Sequence, residues 1–214
     1  MPMISGRPAN KYPLPKEGEL KGFFYHRVDE AGRSGVFVNV YAPAKVRIRF
    51  QSKVMDEPRQ FMLGIPWHIF GAFLDFGAGI SLHNAVLLFM NRKPEGMDDI
   101  PCINALPNSF ESGRLCYGKR RPWAKSKVPA YMKALYRNYW LGTFTSDLVA
   151  TGDSLPAQLC SKPDYSDGIS VFTKHALRYL GEWERATSRG EEIQWVTRYD
   201  RRSLGSLFEN RYNF

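Results

Sequence analysis

The pattern of hydrophobic and polar positions changes about halfway along this chain. The first half holds four runs with the length and composition of β-strands, at residues 36–41, 46–50, 59–65 and 85–90. The run at 46–50 alternates apolar and basic residues, as a strand with one buried face does. Residues 67–76 are apolar at spacings that suit a short buried helix or an aromatic loop.

The second half has the spacing of amphipathic helices. Ser126 can cap a helix that tolerates Pro129 in its first turn and has one apolar face, made of Val128, Met132, Leu135 and Tyr139. A second helix is predicted to begin after Asp167 and to stop by Gly190, with an inward face of Ile169, Phe172, Ala176, Tyr179 and Trp183. Residues 193–197 suit a last short strand. Strands followed by helices predict an α+β architecture rather than a parallel α/β fold.

The predicted organisation has three parts. Residues 1–34 form a proline-rich N-terminal arm and lead-in, residues 35–190 the α+β core, and residues 191–214 a basic C-terminal extension. The first 20 residues contain Pro8, Pro13 and Pro15, and they are expected to pack poorly against their own domain.

Composition narrows the class of protein. The content of 43% hydrophobic and 14% aromatic residues predicts a packed core rather than disorder. No run approaches the roughly 20 apolar residues of a membrane span, and the N-terminus lacks the apolar stretch of a secretory signal. The three cysteines and four histidines show no metal-ligand spacing, and no glycine-rich phosphate loop is present. A cytoplasmic protein with no membrane partner, no disulfide framework, no metal and no cofactor is predicted.

The net charge of +9 is unevenly distributed. Between residues 112 and 146 there are eight basic residues and no acidic one, and a second basic group holds Arg198, Arg201, Arg202 and Arg211. This segregation favours an acidic partner, either a protein surface or a nucleic-acid backbone; the alternative is a solvated basic face. The predicted partner-binding residues are Arg114, Lys119, Arg120, Arg121, Lys125 and Lys127. Aromatic residues interleave with them and suit either base stacking or core packing: Trp123, Tyr131, Tyr136, Tyr139 and Trp140.

The segment most suggestive of chemistry is residues 106–118, LPNSFESGRLCYG. It is rich in turn-forming and small polar residues, and its Cys116 is followed by the basic run 119–121. Cationic neighbours favour the thiolate, which is the nucleophilic form of cysteine. The prediction is an exposed, reactive Cys116; the alternative is a small buried hydrophobic residue in an ordinary turn segment.

The spacing of Pro107, Asn108, Gly113, Leu115 and Cys116 resembles the active-site segment of ubiquitin-conjugating (UBC) enzymes, although Leu106 stands where that family has histidine. A closer likeness is to bacterial UBC-like proteins encoded beside activating-enzyme-like and JAB-type isopeptidase genes, including the PRTRC protein B group. It covers roughly residues 35–150 and includes residues 88–89, 92–94, 105–108, 113–118 and 140–144.

The resemblance implies a β-meander, an irregular cysteine-bearing segment and C-terminal helices. It also implies that Cys116 carries a ubiquitin-like modifier as a thioester, received from an activating-enzyme-like partner and passed to an amine. Asn108 would donate a hydrogen bond to the oxyanion or hold the segment in place; the alternative is a turn residue bonding its own backbone. Two other functions stay open: a structural or assembly protein of a virion or plasmid-maintenance complex, and a nucleic-acid-binding module.

Overall fold

The computed structural model describes residues 20–53, 55–110, 112–116, 127–145, 155–159, 169–198 and 200–209, with side chains from residue 173 onward in the segment that begins at 169. Within these residues the fold is α+β, with seven strands in two sheets and three helices. The strands are β1 (Tyr25–Val28), β2 (Ser34–Tyr41), β3 (Ala44–Gln51), β4 (Arg59–Ile65), β5 (Trp67–Phe76), β6 (Ile80–Met90) and β7 (Thr143–Thr145). The helices are α1 (Val128–Leu141), α2 (Ile169–Arg189) and α3 (Leu204–Glu209).

The strands are divided between two sheets and do not form one sequential meander. The first sheet has the antiparallel order β1-β2-β5-β6. The second has the order β4-β3-β7, in which β7 is parallel to β3. The chain leaves the first sheet around Pro43 and returns to it at Pro66. Proline has no N–H to donate to a strand ladder, so both prolines mark points where pairing ends and the chain changes sheet.

The prediction of a helix or loop at residues 67–76 is wrong, because this segment is the central strand β5. One face of β5 contributes Phe70, Ala72 and Leu74 to the core that also contains residues of the second sheet and of α1 and α2. The other face contributes Ile69 and Phe73 to a separate cluster with α3. A strand covered on both faces loses the apolar–polar alternation by which sequence identifies strands.

The predicted helical faces are confirmed where their side chains are described. In α1 the four predicted residues are buried, with Pro129 in the first turn and Lys127 at the N-cap; Ser126 lies outside the described residues. In α2 the predicted residues Ala176, Tyr179 and Trp183 are fully buried, whereas the side chains of Ile169 and Phe172 are outside the description.

Helix α2 also covers the free edge of β4. The N–H of Met62 donates to Glu184 Oε1 at 2.7 Å, and the N–H of Gly64 donates to Thr187 Oγ1 at 2.7 Å. Trp183 Nε1 returns a hydrogen bond to the Gly64 carbonyl at 3.0 Å. These side chains satisfy strand groups that would otherwise form an open edge for pairing with another chain.

The predicted last strand at residues 193–197 is not a strand. Its central residue, Trp195, exchanges both backbone hydrogen bonds with the side-chain amide of Asn91, at 2.8 and 3.0 Å. Only an isolated bridge joins Thr197 to Cys102. The backbone groups of Trp195 are therefore satisfied by a side chain, whereas the Val196 carbonyl accepts the N–H of Ile103 at 2.8 Å and the N–H of Arg198 donates to the Pro101 carbonyl at 3.2 Å.

Packed structure continues on both sides of residues 35–190. Strand β1 pairs with β2, and Leu204, Leu207 and Phe208 of α3 are fully buried against the outer face of the first sheet. Residues 1–19 of the predicted arm lie outside the described residues. None of the described helices combines the length and apolar character needed to cross a membrane.

Candidate functional site

The candidate site lies on the irregular chain that follows β6, and we call residues 104–110 and 112–116 the flap. The flap returns along the edge of β6 that β5 leaves open. The N–H of Leu87 donates to the Gly113 carbonyl at 2.9 Å, and the N–H of Leu115 donates to the Ala85 carbonyl at 2.8 Å. The end of the flap is therefore attached to β6, a strand whose residues 85–90 are buried, and has a defined position.

The turn at the start of the flap is held from inside the protein. Asn104 is buried; its Oδ1 accepts the N–H of Leu106 at 2.9 Å and its Nδ2 donates to Ser109 Oγ at 3.0 Å. Ser109 Oγ lies 2.9 Å from the hydroxyl of Tyr139 on α1. Leu106 is fully buried in the main core. The turn is thus fixed by a packed leucine and by the amide of Asn104.

Asn108 connects the flap to the second sheet. Its backbone is left-handed, with φ of +63°, a conformation that asparagine tolerates better than most residues. Its Oδ1 accepts hydrogen bonds from the N–H and the hydroxyl of Thr145 at 3.1 and 3.0 Å, and its Nδ2 donates to the Thr143 carbonyl at 3.1 Å. These side-chain bonds run to β7, which directly follows α1, and not to the backbone of the turn itself.

Gly113 allows the flap to approach β6 closely. Its φ is +87°, and a Cβ there would lie 2.4 Å from Leu88 Cδ2 and 3.1 Å from the Leu87 carbonyl oxygen. Both the backbone conformation and the available space therefore disfavour a side chain.

Cys116 is exposed at the end of the flap, as predicted, and its N–H donates to the Asn108 carbonyl at 2.9 Å. The two residues proposed for catalysis are therefore joined directly through their backbones. The other described cysteine, Cys102, is buried, and burial raises the pKa of its thiol. Cys160 lies outside the described residues.

The predicted partner-binding residues are only partly described. Arg114 is half-buried, and its guanidinium lies over the ring of Phe110 at 4.3 Å, so part of this side chain is engaged within the flap. Lys127 is exposed at the start of α1. Lys119, Arg120, Arg121 and Lys125 lie outside the described residues, as does Trp123.

Burial of the neighbouring aromatic residues favours core packing over base stacking. Of the four that the structure describes, Tyr131, Tyr139 and Trp140 are buried in the main core and Tyr136 is half-exposed.

Part of the C-terminal basic group supports the flap. Arg198 is buried, its guanidinium donates to the Ser112 carbonyl, and it pairs with Asp200 at 3.0 Å. Asp200 also accepts from Arg202 at 2.7 Å. Hydrogen bonds from Arg198, opposed by partial burial and assisted by Arg202, hold the pKa of Asp200 well below its usual value. Charge counting alone assigned these arginines to a partner surface, but two of them are paired within the protein.

Sequence reasoning missed the residues that support the flap: Asn104, Ser109, Tyr139, Thr143, Thr145 and Arg198. One signal was available, because an asparagine two residues before Leu106 is placed to bond that N–H in an Asx turn. The bonds to α1, β7 and Arg198 join residues far apart in sequence, and no local pattern identifies them.

No group of three or more potential metal ligands occurs among the described histidine, cysteine, aspartate and glutamate residues. Comparisons with family models, with curated proteins and with solved structures found no match to this chain.

Proposed function

We propose that this protein is a UBC-like acyl carrier that holds a ubiquitin-like modifier as a thioester on Cys116. The observation that carries the proposal is the exposed thiol at the end of a flap fixed by three connections: to β6, to β7 through Asn108, and to Arg198. A nucleophile on a supported backbone can be presented to a large partner in a constant orientation.

The proposed chemistry is two acyl transfers. The Cys116 thiolate attacks the carbonyl of the donor thioester, the bond to the donor sulfur breaks, and the donor leaves as a thiolate that takes up a proton. An amine then attacks the Cys116 thioester, forming an amide and losing a proton, and the Cys116 thiol is released. No oxidant, reductant or metal is required. The donor is an activating-enzyme-like protein and the acceptor is an amine of a target.

Asn108 has a positioning role in this proposal. Its Oδ1 and one hydrogen of Nδ2 are engaged with β7, so the side chain sets the place of the Asn108 carbonyl that binds the Cys116 N–H. The second hydrogen of Nδ2 is the donor that a developing oxyanion would use. The geometry of the flap would then depend on Asn108 in both acyl transfers.

A small thioester tests the proposal without the natural donor. The full chain is incubated with a peptide thioester ending in Gly-Gly, and the adduct is located by mass spectrometry. We expect an adduct on Cys116 that a reducing thiol removes and that an added amine discharges. We expect Cys116→Ser to abolish the adduct and Cys102→Ser to retain it.

The rate at which Cys116 forms the adduct in denaturant is the reference for the folded protein. If Cys116 in the folded protein reacts no faster than the same cysteine in denaturant, the flap does not activate the thiol and the acyl-carrier function is rejected. An adduct that forms equally on Cys102 has the same consequence.

A further inference from the structure

A groove of about 960 Å³ lies between α1, the adjoining ends of β2 and β3, and residues 21–24. Its apolar lining includes Phe23, Phe24, Val40 and Trp140. A groove of this size and composition can take several apolar side chains of a partner.

The floor of the groove is aromatic and uncharged near neutral pH. The rings of Tyr41 and Tyr136 stack with centroids 3.9 Å apart and planes within 1° of parallel. Behind them, His68 Nε2 lies 2.7 Å from the hydroxyl of Tyr136, and burial lowers the pKa of His68 to about 4. Because the imidazole is neutral, the floor presents aromatic surface without charge.

The rim of the groove is cationic. Lys21 lies on one side, and Lys133 and Arg137, one helical turn apart on α1, lie on the other; all three are exposed. No aspartate or glutamate is among the described residues that line the groove. At its end, Leu141 is 70% exposed, an unusual degree for a large apolar side chain.

We propose that this groove binds an acidic amphipathic segment of a partner protein, one that presents apolar side chains flanked by carboxylates. The apolar side chains would cover the aromatic floor and Leu141, and the carboxylates would pair with Lys133, Arg137 and Lys21. Cys116 is not among the described residues that line the groove, and the proposal does not require the acyl-carrier function.

Two other occupants fit the groove less well. A single-stranded nucleic acid needs open aromatic faces for base stacking, but Tyr41 and Tyr136 stack on each other and Trp140 is only 9% exposed. The chain's own residues 1–19 contain three basic and two acidic side chains, a net charge that does not complement a cationic rim.

The test measures binding of a labelled helix-forming peptide of leucine, phenylalanine and glutamate to the full chain by fluorescence anisotropy. Two probes serve as references: the same peptide with lysine for glutamate, and an oligothymidine. The double variant Lys133→Glu/Arg137→Glu is expected to weaken binding of the acidic peptide by at least about tenfold. Leu141→Ser is expected to weaken it less, and Cys116→Ser not at all.

The chain offers a matched control on α2. Lys174 and Arg178 are also exposed, are also one helical turn apart, and lie outside the groove. Lys174→Glu/Arg178→Glu changes the net charge equally and is expected to leave binding within about twofold of the original protein, since remote surface charges act only weakly through solvent.

The proposal is overturned if the acidic peptide does not bind, if both double variants weaken binding equally, or if oligothymidine binds more tightly and loses affinity with the α1 variant. It is also overturned if the α1 variant shifts the NMR signals of residues 1–19, since the arm would then be the occupant. Because Cys116→Ser is included, failure here is distinguishable from failure of the acyl-carrier function.

Discussion

Cys102 and Cys116 lie in the same irregular stretch of chain but in opposite environments. The N–H of Cys102 donates to the Phe89 carbonyl at 2.8 Å, a bridge joins Cys102 to Thr197, and its side chain is 3% exposed. Cys116 has a comparable backbone anchor at Asn108, but its side chain is exposed. Backbone order is therefore common to both cysteines, and exposure of the sulfur is what distinguishes them.

Two consecutive residues, Thr197 and Arg198, contact the chain around both cysteines. Thr197 pairs with Cys102, and the next residue, Arg198, reaches the Ser112 carbonyl in the flap. The two cysteines thus share a support, and a change confined to the flap should alter Cys116 while leaving Cys102 in place.

The largest effect is expected from Gly113→Ala. The new Cβ would lie 2.4 Å from Leu88 Cδ2 in a backbone conformation that alanine adopts poorly. We expect the free energy of unfolding to fall by about 2–4 kcal/mol, measured by urea denaturation. The flap should move away from β6, so the reactivity of Cys116 should change more than that of Cys102.

Gly190→Ala is the control for backbone strain. Gly190 has φ of +71°, close to the value at Gly113, but no atom lies within 4 Å of its ideal Cβ. Its expected cost is about 1 kcal/mol from conformation alone. Equal costs for the two variants would contradict the close packing of the flap on β6.

Much of the regular secondary structure could be predicted from the sequence, whereas the position of the flap could not. The hydrophobic pattern predicts the faces of both long helices and four strand segments, at residues 36–41, 46–50, 59–65 and 85–90. Each of these segments buries either one face or a continuous run of apolar residues in the core. The apolar residues of the flap show neither the helical nor the strand periodicity. Its position depends on the side chains of Asn108, Ser109 and Arg198, which bond to residues far away in the sequence, and a local pattern does not encode such bonds.

A smaller loss of stability is expected when Asn108 is replaced. Replacing it with glycine keeps the left-handed backbone but removes the bonds to Thr143 and Thr145, so the free energy of unfolding should fall by about 1 kcal/mol. Alanine should cost about 1 kcal/mol more than glycine because it also strains the backbone. Chemical denaturation of both variants measures this difference.

Amide hydrogen exchange shows which part of the structure loosens when Asn108 is replaced. Exchange at the Thr145 amide should become faster in both variants, while exchange at the Cys102 amide stays the same. If the Thr145 amide is unaffected, Asn108 does not connect the flap to β7.

The smallest effect concerns pH and Asp200. The pKa of Asp200 is held below its ordinary value of 3.8 by Arg198, so the unfolded chain takes up this proton first as pH falls. The stabilising contribution is therefore complete above about pH 4 to 5 and is lost as pH falls toward 2. Because the side chain is partly exposed, salt should reduce the effect.

Asp200→Asn isolates this contribution from the other carboxylates. The original protein should lose more stability than the variant between pH 5 and pH 2, as followed by urea denaturation at each pH. Parallel curves for the two proteins would show that the pair of Arg198 and Asp200 contributes nothing that depends on pH.

The measurement that tests the central claim most directly is site-resolved alkylation of all three cysteines in the full chain. N-ethylmaleimide is applied across pH 5 to 9, with and without denaturant, and each site is quantified by mass spectrometry. We predict that in the folded protein Cys116 reacts at least about 100-fold faster than Cys102, because the folded chain exposes one thiol and buries the other. Equal rates at the two sites in the folded protein, or a Cys116 that reacts only on unfolding, would contradict it.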